Sequence, residues 1–300
     1  MTTPGRQITD MLIERPERRR FEIALDRKAI LSYPSTAETV GRVIPGPTLP
    51  LRMRSLIAPG TTTGSGILYV RETSFTSSPI KPINPGALKP AANLSYDVQQ
   101  QPVITIPAYM KLPDQYWEDF TMLESWMDTR LLYGLAMAEE NQLLNGDGTA
   151  PNLQGFMLVA ITAPGPVTPP APGAGAVLAG VASGVAALYG RGYAATGVVL
   201  NPNDFGVMLM ALGSPELVTT PVSLWGIPVV ISSAMASGNY LVGQFAPYSQ
   251  IFDREEAGVE IATENEDDFV KNLVTVRAEE RLALAIYQPA AFAKGTFLLS

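Results

Sequence analysis

Residues 121–156 contain the feature that most constrains this chain, a long helical pattern that stops at a glycine-rich turn. Thr121, with Glu124 three residues later, forms a capping box that satisfies free N–H groups at a helix start. The apolar residues of this pattern recur at steps of three and four and define one helix face: Leu123, Trp126, Met127, Leu131, Leu135 and Ala138. Asn145-Gly146-Asp147-Gly148 then ends the pattern, because glycine adopts the left-handed conformation that closes helices. We therefore predict one helix of about 23 residues, roughly 35 Å long at ~1.5 Å per residue.

Composition excludes several kinds of functional site. The 300 residues include no cysteine and no histidine. Disulfides, thiolate nucleophiles, Cys-type zinc sites and His-based catalytic triads are therefore excluded. Charged residues make up 16% of the chain, and the net charge is −7. Such a chain has less charged surface than a typical soluble monomer and is a poor general binder of nucleic acid. We infer that much of its surface is buried against copies of itself.

Neither a membrane span nor a signal peptide is predicted from the sequence. No window approaches the ~18 uninterrupted apolar residues of a transmembrane helix. The N-terminus lacks the order of basic end, apolar centre and small-residue cleavage site that secretory signals share. The protein is therefore expected to be cytosolic when made.

Residues 1–55 are punctuated by prolines and charges, and no stable core element fits there. They contain the one dense basic cluster of the sequence: Arg15, Arg18, Arg19 and Arg20. This cluster could contact nucleic acid or an acidic partner surface. The favoured interpretation is an arm that is solvated or lies between subunits.

The amino-acid sequence of the helix and turn indicates a protein family more specifically than their apolar periodicity does. RLLYGLAMAEENQLLNGDGTAPNLQGF, at 130–156, closely resembles the spine helix and following turn of tailed-phage major capsid proteins with the Hong Kong-ninety-seven-like fold. Three later motifs resemble landmarks of that family's axial domain: VLNPNDF, WGIPVV and LVGQF. The C-terminal motifs match the family in order: DDFVKN, EERLALAIY and KGTF. The resemblance extends over 50–300.

The resemblance implies an α+β fold with a long spine helix, a peripheral domain, an axial domain, an N-arm and an extended E-loop hairpin. The implied boundaries are an N-arm at 1–55, an E-loop hairpin region at 56–104, a peripheral domain with the spine helix at 105–152, an axial domain at 153–252, and the C-terminal sheet of the peripheral domain at 253–300. The family's archetype also has a scaffolding segment ahead of the arm. The numbered chain starts without one, so we expect a separate scaffold or a numbering that omits it.

Local patterns predict further elements. Residues 66–75 alternate as a strand, with a return strand at 103–106 and a long proline-rich excursion between them. A short helix is predicted at 113–119, an exposed loop at 163–176 and a close-packed helix at 177–188. GVVLNP, at 197–202, predicts a buried strand that runs into a helix at 204–212, and two short strands follow at 225–230 and 240–243. The last fifty residues alternate apolar and polar side chains and predict an antiparallel sheet under the spine helix.

Two patterns could be mistaken for ligand sites. An acidic cluster resembles a calcium loop only superficially, because it lacks the EF-hand glycine and terminal glutamate; its members are Glu264, Glu266, Asp267 and Asp268. We interpret it as a solvated turn. LVGQF lacks the spacing of a phosphate-binding glycine loop. No cofactor and no metal are expected.

The resemblance implies a structural protein rather than an enzyme: the major capsid protein of a tailed phage. It would assemble as pentamers and hexamers into an icosahedral shell that encloses double-stranded DNA, bound non-specifically. The expected partner is the chain itself, and scaffold, portal, decoration protein or maturation protease are further partners. The expected location is the virion, and the host cytoplasm during assembly. The nearest alternative is an encapsulin-type nanocompartment shell. A hydrolase is disfavoured because only paired carboxylates remain for catalysis and none stand at a recognisable spacing.

The resemblance also implies isopeptide cross-linking between subunits. Lys89, Asn272 and Glu279 fall where the archetype has its cross-linking lysine, asparagine and catalytic glutamate. A neutral lysine amine would attack the Asn amide carbon while the carboxylate accepts a proton. The alternative is that Lys89 makes an ordinary ion pair and Asn272 caps a turn. Asn272 and Glu279 are seven residues apart, so a regular strand would point them to opposite faces unless a bulge intervenes or different subunits donate them.

Overall fold

The computed structural model describes residues 53–77, 86, 92–114, 121–165, 174–212, 223–265 and 267–297. In chain order its helices are α1 Met53–Leu56, α2 Thr121–Asn145, α3 Phe156–Val159, α4 Ala174–Gly190, α5 Pro202–Leu212, α6 Phe245–Tyr248 and α7 Asp268–Lys271. Its strands are β1 Ala58–Thr61, β2 Gly66–Ser77, β3 Ala92–Pro102, β4 Ile104–Pro113, β5 Ile161–Thr162, β6 Gly197–Leu200, β7 Ser223–Leu224, β8 Ile227–Ile231, β9 Asn239–Gly243, β10 Ser249–Ala262, β11 Leu273–Ile286 and β12 Phe292–Thr296. The predicted N-arm at 1–55 lies almost wholly outside these ranges.

Helix α2 confirms the central prediction. It is continuous over 25 residues and begins at Thr121. Among its described side chains, Leu131 and Leu135 are buried, and the buried stripe continues through Leu143 and Leu144. Asn145 is its last residue, and glycines follow it as the sequence predicted.

The chain divides into two compact units. Within the described residues, one unit comprises parts of Pro107–Leu135 and Ala257–Glu279, which supply the distal part of β4, the first turns of α2, the end of β10 and the start of β11. The other comprises 53–106, Ala136–Glu256 and 280–297 with the gaps noted above. We refer to them as the small unit and the large unit.

The large unit is built on a six-stranded sheet with the order β5-β12-β9-β6-β8-β7. Helices α4 and α5 pack together beside it, and α4 lies against β9 and β12. Val198 and Leu200 from β6 are fully buried in the same core as Val177 and Val181 from α4. The predicted strands and helices between 177 and 243 are therefore confirmed, with α4 longer than predicted and α5 beginning at Pro202.

The last fifty residues do not form one antiparallel sheet, which corrects the prediction. Strand β12 pairs antiparallel with β9 and parallel with β5, inside the six-stranded sheet. Strands β10 and β11 belong to a separate sheet with the order β1-β10-β11-β4. Alternation identified these residues as strands, but their partners are distant in sequence and alternation carries no information about them.

The return strand of the hairpin was also predicted wrongly. Strand β2 pairs with β3, at Ala92–Pro102, over its whole length from Gly66 to Ser77. Ile104 and Ile106 instead belong to β4, which lies in the four-stranded sheet. Leu94, Tyr96 and Val98 alternate with polar residues along β3, and this strand signal was overlooked inside the proline-rich stretch.

Two smaller predictions have different outcomes. Pro113 is the last residue of strand β4 and the next residue, Asp114, is helical, whereas the rest of the short helix predicted at 113–119 lies outside the described residues. The predicted exposed loop at 163–176 has buried alanines at its two ends, Ala163 and Ala176, and α4 begins at Ala174. None of the helices in the described ranges is long and apolar enough to cross a membrane.

Candidate functional site

The β2–β3 ribbon exposes a continuous set of large apolar side chains. Each is between 53% and 71% exposed, and together we call them the ribbon face: Leu68, Val70, Phe75, Leu94, Tyr96 and Val98. Exposed apolar patches of this kind are typical of surfaces that bind another protein.

A bulge brings these side chains to one side of the ribbon. Along β2 the register shifts between Glu72 and Ser74, so that Phe75 lies opposite Leu94. Without the bulge, Phe75 would share the face of odd-numbered residues and point away from Val70, because side chains alternate along a strand. At the base of the ribbon, the Tyr69 hydroxyl accepts a hydrogen bond from the backbone N–H of Ile286 at 3.4 Å. The ribbon is therefore fixed at its base and apolar on one side.

In the small unit, a short turn at 267–272 carries Asn272. Asn272 ends α7 in the left-handed conformation, with φ 51°, and its side chain is exposed. Its carbonyl oxygen accepts a hydrogen bond from the N–H of Asp114 at 2.8 Å. Asparagine tolerates this conformation better than most residues. Asn272 is therefore an exposed amide on a fixed backbone.

Asp268 anchors this turn from inside, which corrects the prediction of a solvated acidic turn. Its side chain is fully buried, accepts a hydrogen bond from the Thr275 hydroxyl and lies 3.0 Å from the ammonium of Lys111. The Thr275 hydrogen bond, followed by the Lys111 charge, lowers the pKa of Asp268. Of the rest of the predicted cluster, Glu264 and Asp267 are exposed, and Glu266 lies outside the described residues.

Glu279 lies in β11 with its side chain 25% exposed. The guanidinium of Arg277 lies 3.5 Å from one oxygen of Glu279 and 2.7 Å from a carboxylate oxygen of Glu260. Glu279 is therefore a partly exposed carboxylate beside a guanidinium.

The structure does not bring Asn272 and Glu279 of one chain together. Asn272 immediately precedes β11, and Glu279 is the seventh residue of that strand. At ~3.3 Å per residue their Cα atoms are roughly 20 Å apart, which is too far for both side chains to reach one lysine amine. Of the two solutions considered from the sequence, only donation by different copies of the chain fits this spacing. Lys89 lies outside the described residues.

The turn after α2 is closed by backbone hydrogen bonds. The N–H of Gly155 donates to the carbonyl of Gly146 at 2.9 Å, and the N–H of Gly148 donates to the carbonyl of Leu153 at 2.8 Å. Inside the loop, Asp147 accepts hydrogen bonds from the Thr149 N–H at 2.9 Å and the Asn152 amide at 3.0 Å. These hydrogen bonds explain why the NGDG and NLQG sequences occur at this turn.

The large unit contains a group of charges that was not predicted from the sequence, in which Glu139 and Glu280 are buried, Asp253 is half-buried and Arg54 is exposed. Arg54 in α1 pairs with two carboxylates, Glu139 in α2 and Asp253 in β10. Glu280 in β11 is 5% exposed, and within the described residues its Oε1 has no hydrogen-bond partner. The burial of Glu139 could have been predicted from the sequence. Glu139 lies four residues from both Leu135 and Leu143, and therefore on the apolar stripe of α2.

Burial raises the pKa of two of these carboxyl groups, Glu280 and Glu139. For Glu280 the pKa rises to about 8, first because of burial and then because of the negative charge of Glu139. Burial also raises the pKa of Glu139, although the Arg54 charge opposes the shift. Glu280 is therefore mostly protonated at neutral pH. Across the described residues, no acidic cluster has a geometry that could hold a metal ion.

Comparison with known proteins gives one family and one close relative. The sequence profile described as the Phage capsid family matches residues 37–297. The major capsid protein of Enterobacteria phage HK97 is 37% identical over 283 residues, which are 89% of this chain and 72% of that protein.

Solved structures share the fold at lower identity. The capsid of a native GTA particle matches with a TM-score of 0.63 and 19% identity, covering 89% of this chain and 96% of that one. A chain from Gordonia phage Cozz gives a TM-score of 0.66 and 13% identity, over 86% and 90%. A virus-like particle from Pyrococcus furiosus gives 0.56 and 10% identity, over 81% and 90%.

Proposed function

Because the chain belongs to the Phage capsid family, we propose that it is the major capsid protein of a tailed phage and assembles as pentamers and hexamers into an icosahedral shell around double-stranded DNA. Its role is structural, and its principal partner is itself. The capsid relative of Enterobacteria phage HK97 favours this function over the encapsulin-type alternative. A scaffold, portal, decoration protein and maturation protease are further proposed partners.

The observation that carries this proposal is the ribbon face. Six large apolar side chains lie on one side of a two-stranded ribbon, each at least 53% exposed. A two-stranded ribbon is marginal in water by itself, so an apolar side of this length needs a partner to cover it. A neighbouring copy in a closed shell supplies that cover to every subunit by the same contact.

Negative-stain electron microscopy of the expressed protein tests the shell. We expect closed particles from the unmodified chain, and none from a variant with Val70→Asp and Val98→Asp, which puts two charges in the middle of the ribbon face. Thermal unfolding of the soluble variant should match that of unassembled wild-type protein, because both residues are more than half exposed. A wild-type chain that stays a soluble monomer under all assembly conditions would contradict the proposal.

We further propose that mature shells are cross-linked between Lys89 and Asn272. The neutral amine of Lys89 attacks the amide carbon of Asn272, a C–N bond forms, and ammonia leaves. Glu279 accepts the proton that the amine loses and returns a proton to the departing nitrogen. The exposed Asn272 amide and the partly exposed, Arg277-bound Glu279 support these roles. Their spacing along β11 supports donation by different copies.

Conservative variants test the chemistry without disturbing the fold. Lys89→Arg keeps the charge, Asn272→Asp keeps the left-handed backbone position without an amide, and Glu279→Gln removes the base. Mature wild-type particles boiled in detergent should give ladders or material too large to enter a gel. Each variant should give a single band near 32.1 kDa. If wild-type particles already give that band alone, cross-linking is wrong and the shell proposal stands.

Mixed particles test whether Asn272 and Glu279 act from different copies. Shells made only of Asn272→Asp chains, or only of Glu279→Gln chains, should contain no cross-links. Shells that contain both variants should regain part of the ladder, since each chain supplies the group that the other lacks. Mixed shells that still run as monomers would show that both residues must come from the same chain.

A further inference from the structure

The turn between β7 and β8 holds a tryptophan in a conformation that tryptophan rarely adopts. Trp225 and Gly226 join the two strands, and Leu224 pairs with Ile227 across the turn. Both turn residues have positive φ, 53° for Trp225 and 80° for Gly226. Two-residue turns of this kind suit the twist of the strands, but asparagine, aspartate or glycine usually occupies their first position. A bulky L-residue is strained there, because its Cβ atom approaches the following carbonyl oxygen.

Burial does not offset this strain in a single chain. The side chain of Trp225 is 59% exposed in the described structure. Of the described residues other than glycine, only Trp225 and Asn272 have positive φ, and asparagine tolerates that conformation. Asparagine or glycine at position 225 would therefore suit the isolated chain better than tryptophan. Backbone strain of this kind is concentrated at functional sites.

Trp225 lies in a stretch of the chain that carries almost no charge. Charged residues make up 16% of the whole sequence. Residues 148–252, which supply α4, α5 and the strands from β5 to β9, contain only three of them: Arg191, Asp204 and Glu216. Asp204 is fully buried. The surface that this stretch presents is therefore nearly neutral.

This distribution of charge favours a second copy of the chain over other partners. Nucleic acid is disfavoured because Arg191 is the only basic residue of the stretch, and phosphate affinity comes mainly from clustered Lys and Arg. A charged protein partner would gain little here, since it needs a complementary charge pattern. In a ring of identical subunits, a charge near the axis recurs in every copy and repels its own repeats. An uncharged surface avoids that repulsion.

We propose that Trp225 anchors one copy of the chain to the next copy within the rings that build the shell. Its indole packs against the uncharged surface of the neighbouring copy. Tryptophan is enriched at the energetic centres of protein interfaces, and its large ring buries much apolar area. The contact supplies the burial that the isolated chain lacks. This inference rests on the proposed shell function and adds the residue that holds neighbouring copies together.

Trp225→Asn separates the role of the side chain in folding from its role in assembly. Asparagine relieves the strain, so the thermal midpoint of the unassembled variant should equal or exceed that of wild type. Without the indole, self-association measured by analytical ultracentrifugation should weaken at least tenfold. Trp225→Phe is the matched control, because it keeps an aromatic ring in the same conformation, and it should retain most of the assembly. A clear fall in the midpoint of Trp225→Asn would place the indole within its own subunit and overturn the proposal.

Fluorescence reports whether assembly buries the indole. Subtracting the emission of Trp225→Phe from that of wild type isolates Trp225 from the other tryptophans, Trp117 and Trp126. The difference spectrum should shift to shorter wavelength and resist acrylamide quenching when shells form. An indole that stays quenchable in shells, or full assembly of Trp225→Asn, would overturn the anchor and leave the shell proposal standing. A wild-type chain that never self-associates would overturn both.

Discussion

Gly155→Ala should prevent the chain from folding. A Cβ atom at this position would lie 2.5 Å from the backbone nitrogen of Gly146 and 2.7 Å from the carbonyl oxygen of Leu144. Both obstacles are backbone atoms and cannot rotate away. The turn cannot open to make room, because the Gly155 N–H donates to Gly146 across the same gap. We expect a loss of stability on the order of 4–5 kcal/mol, which is comparable to the whole stability of a small domain. The expressed variant should be insoluble, or should lack a cooperative thermal transition by circular dichroism.

Gly134→Ala provides the matched control within the same helix. Nothing lies within 4 Å of a Cβ atom at Gly134, which is in the middle of α2. Alanine favours a helix over glycine by ~1 kcal/mol, so this variant should be slightly more stable than wild type. Gly146→Ala should behave like Gly155→Ala, since its Cβ would lie 2.3 Å from the carbonyl oxygen of Leu153. Normal folding of Gly155→Ala would show that the turn has another conformation available.

The stability of the unassembled protein should fall as the pH rises from about 5 to about 8. Glu280 has a pKa raised from 4.5 to about 8 in the folded chain. The folded state therefore binds a proton that the unfolded state releases. Its stabilising contribution is complete below pH 4.5 and is lost as the pH rises towards 8. One proton corresponds to at most ~1.4 kcal/mol per pH unit. We expect a total loss of about 3 kcal/mol, measured as the free energy of urea unfolding at several pH values.

Glu280→Gln should flatten this dependence. The amide stays neutral, so the variant should be more stable than wild type at pH 8 and should change little between pH 5 and 8. Glu255→Gln is the control, because the Glu255 side chain is 57% exposed. It should retain the wild-type slope. An unchanged slope in Glu280→Gln would assign the pH dependence to another group, with Glu139 and Glu140 next, since burial also raises their pKa values.

The opposite behaviour is expected at acid pH. The pKa values of Asp147, Asp267 and Asp268 are lowered, chiefly by hydrogen bonds from Thr149, Lys271 and Thr275 respectively. Their contributions are present above pH 3.8 and are lost as the pH falls. The stability of the chain therefore has a maximum between these two ranges.

Sequence patterns over neighbouring residues predicted the helices and strands whose formation depends mainly on those residues. Helix α2, its glycine stop and the strand-to-helix step at Asn201 and Pro202 follow from periodicity, caps and turn residues, and the structure confirms them. The family was identified from sequence motifs, and the comparisons with known proteins confirm it. The domain boundaries implied by the resemblance stay a prediction.

Pairing between distant residues could not be predicted in the same way. Strand β3 alternates Leu94, Tyr96 and Val98 with polar residues, but nothing in its own sequence identifies β2 as its partner. Strand β12 alternates like β10 and β11 but joins a different sheet. Burial of Asp268 depends on Lys111, which is distant in sequence, and on Thr275, which lies across the turn. The cross-link residues Lys89, Asn272 and Glu279 were identified by resemblance and stay a prediction; the structure adds only that Asn272 and Glu279 of one chain are far apart along β11.

The position of β12 has a consequence for how the protein is made. This strand lies between β5 and β9, which the ribosome synthesises long before it. Until residues 292–296 have emerged from the ribosome, one edge of β9 is unpaired and the aromatic ring of Phe292 is missing from the core. The six-stranded sheet can therefore close only late in synthesis, and a chain interrupted before this strand keeps an open edge that chaperones or proteases can recognise. Only chains translated through β12 can complete this sheet, so the order of strands acts as quality control on the subunits that enter a particle.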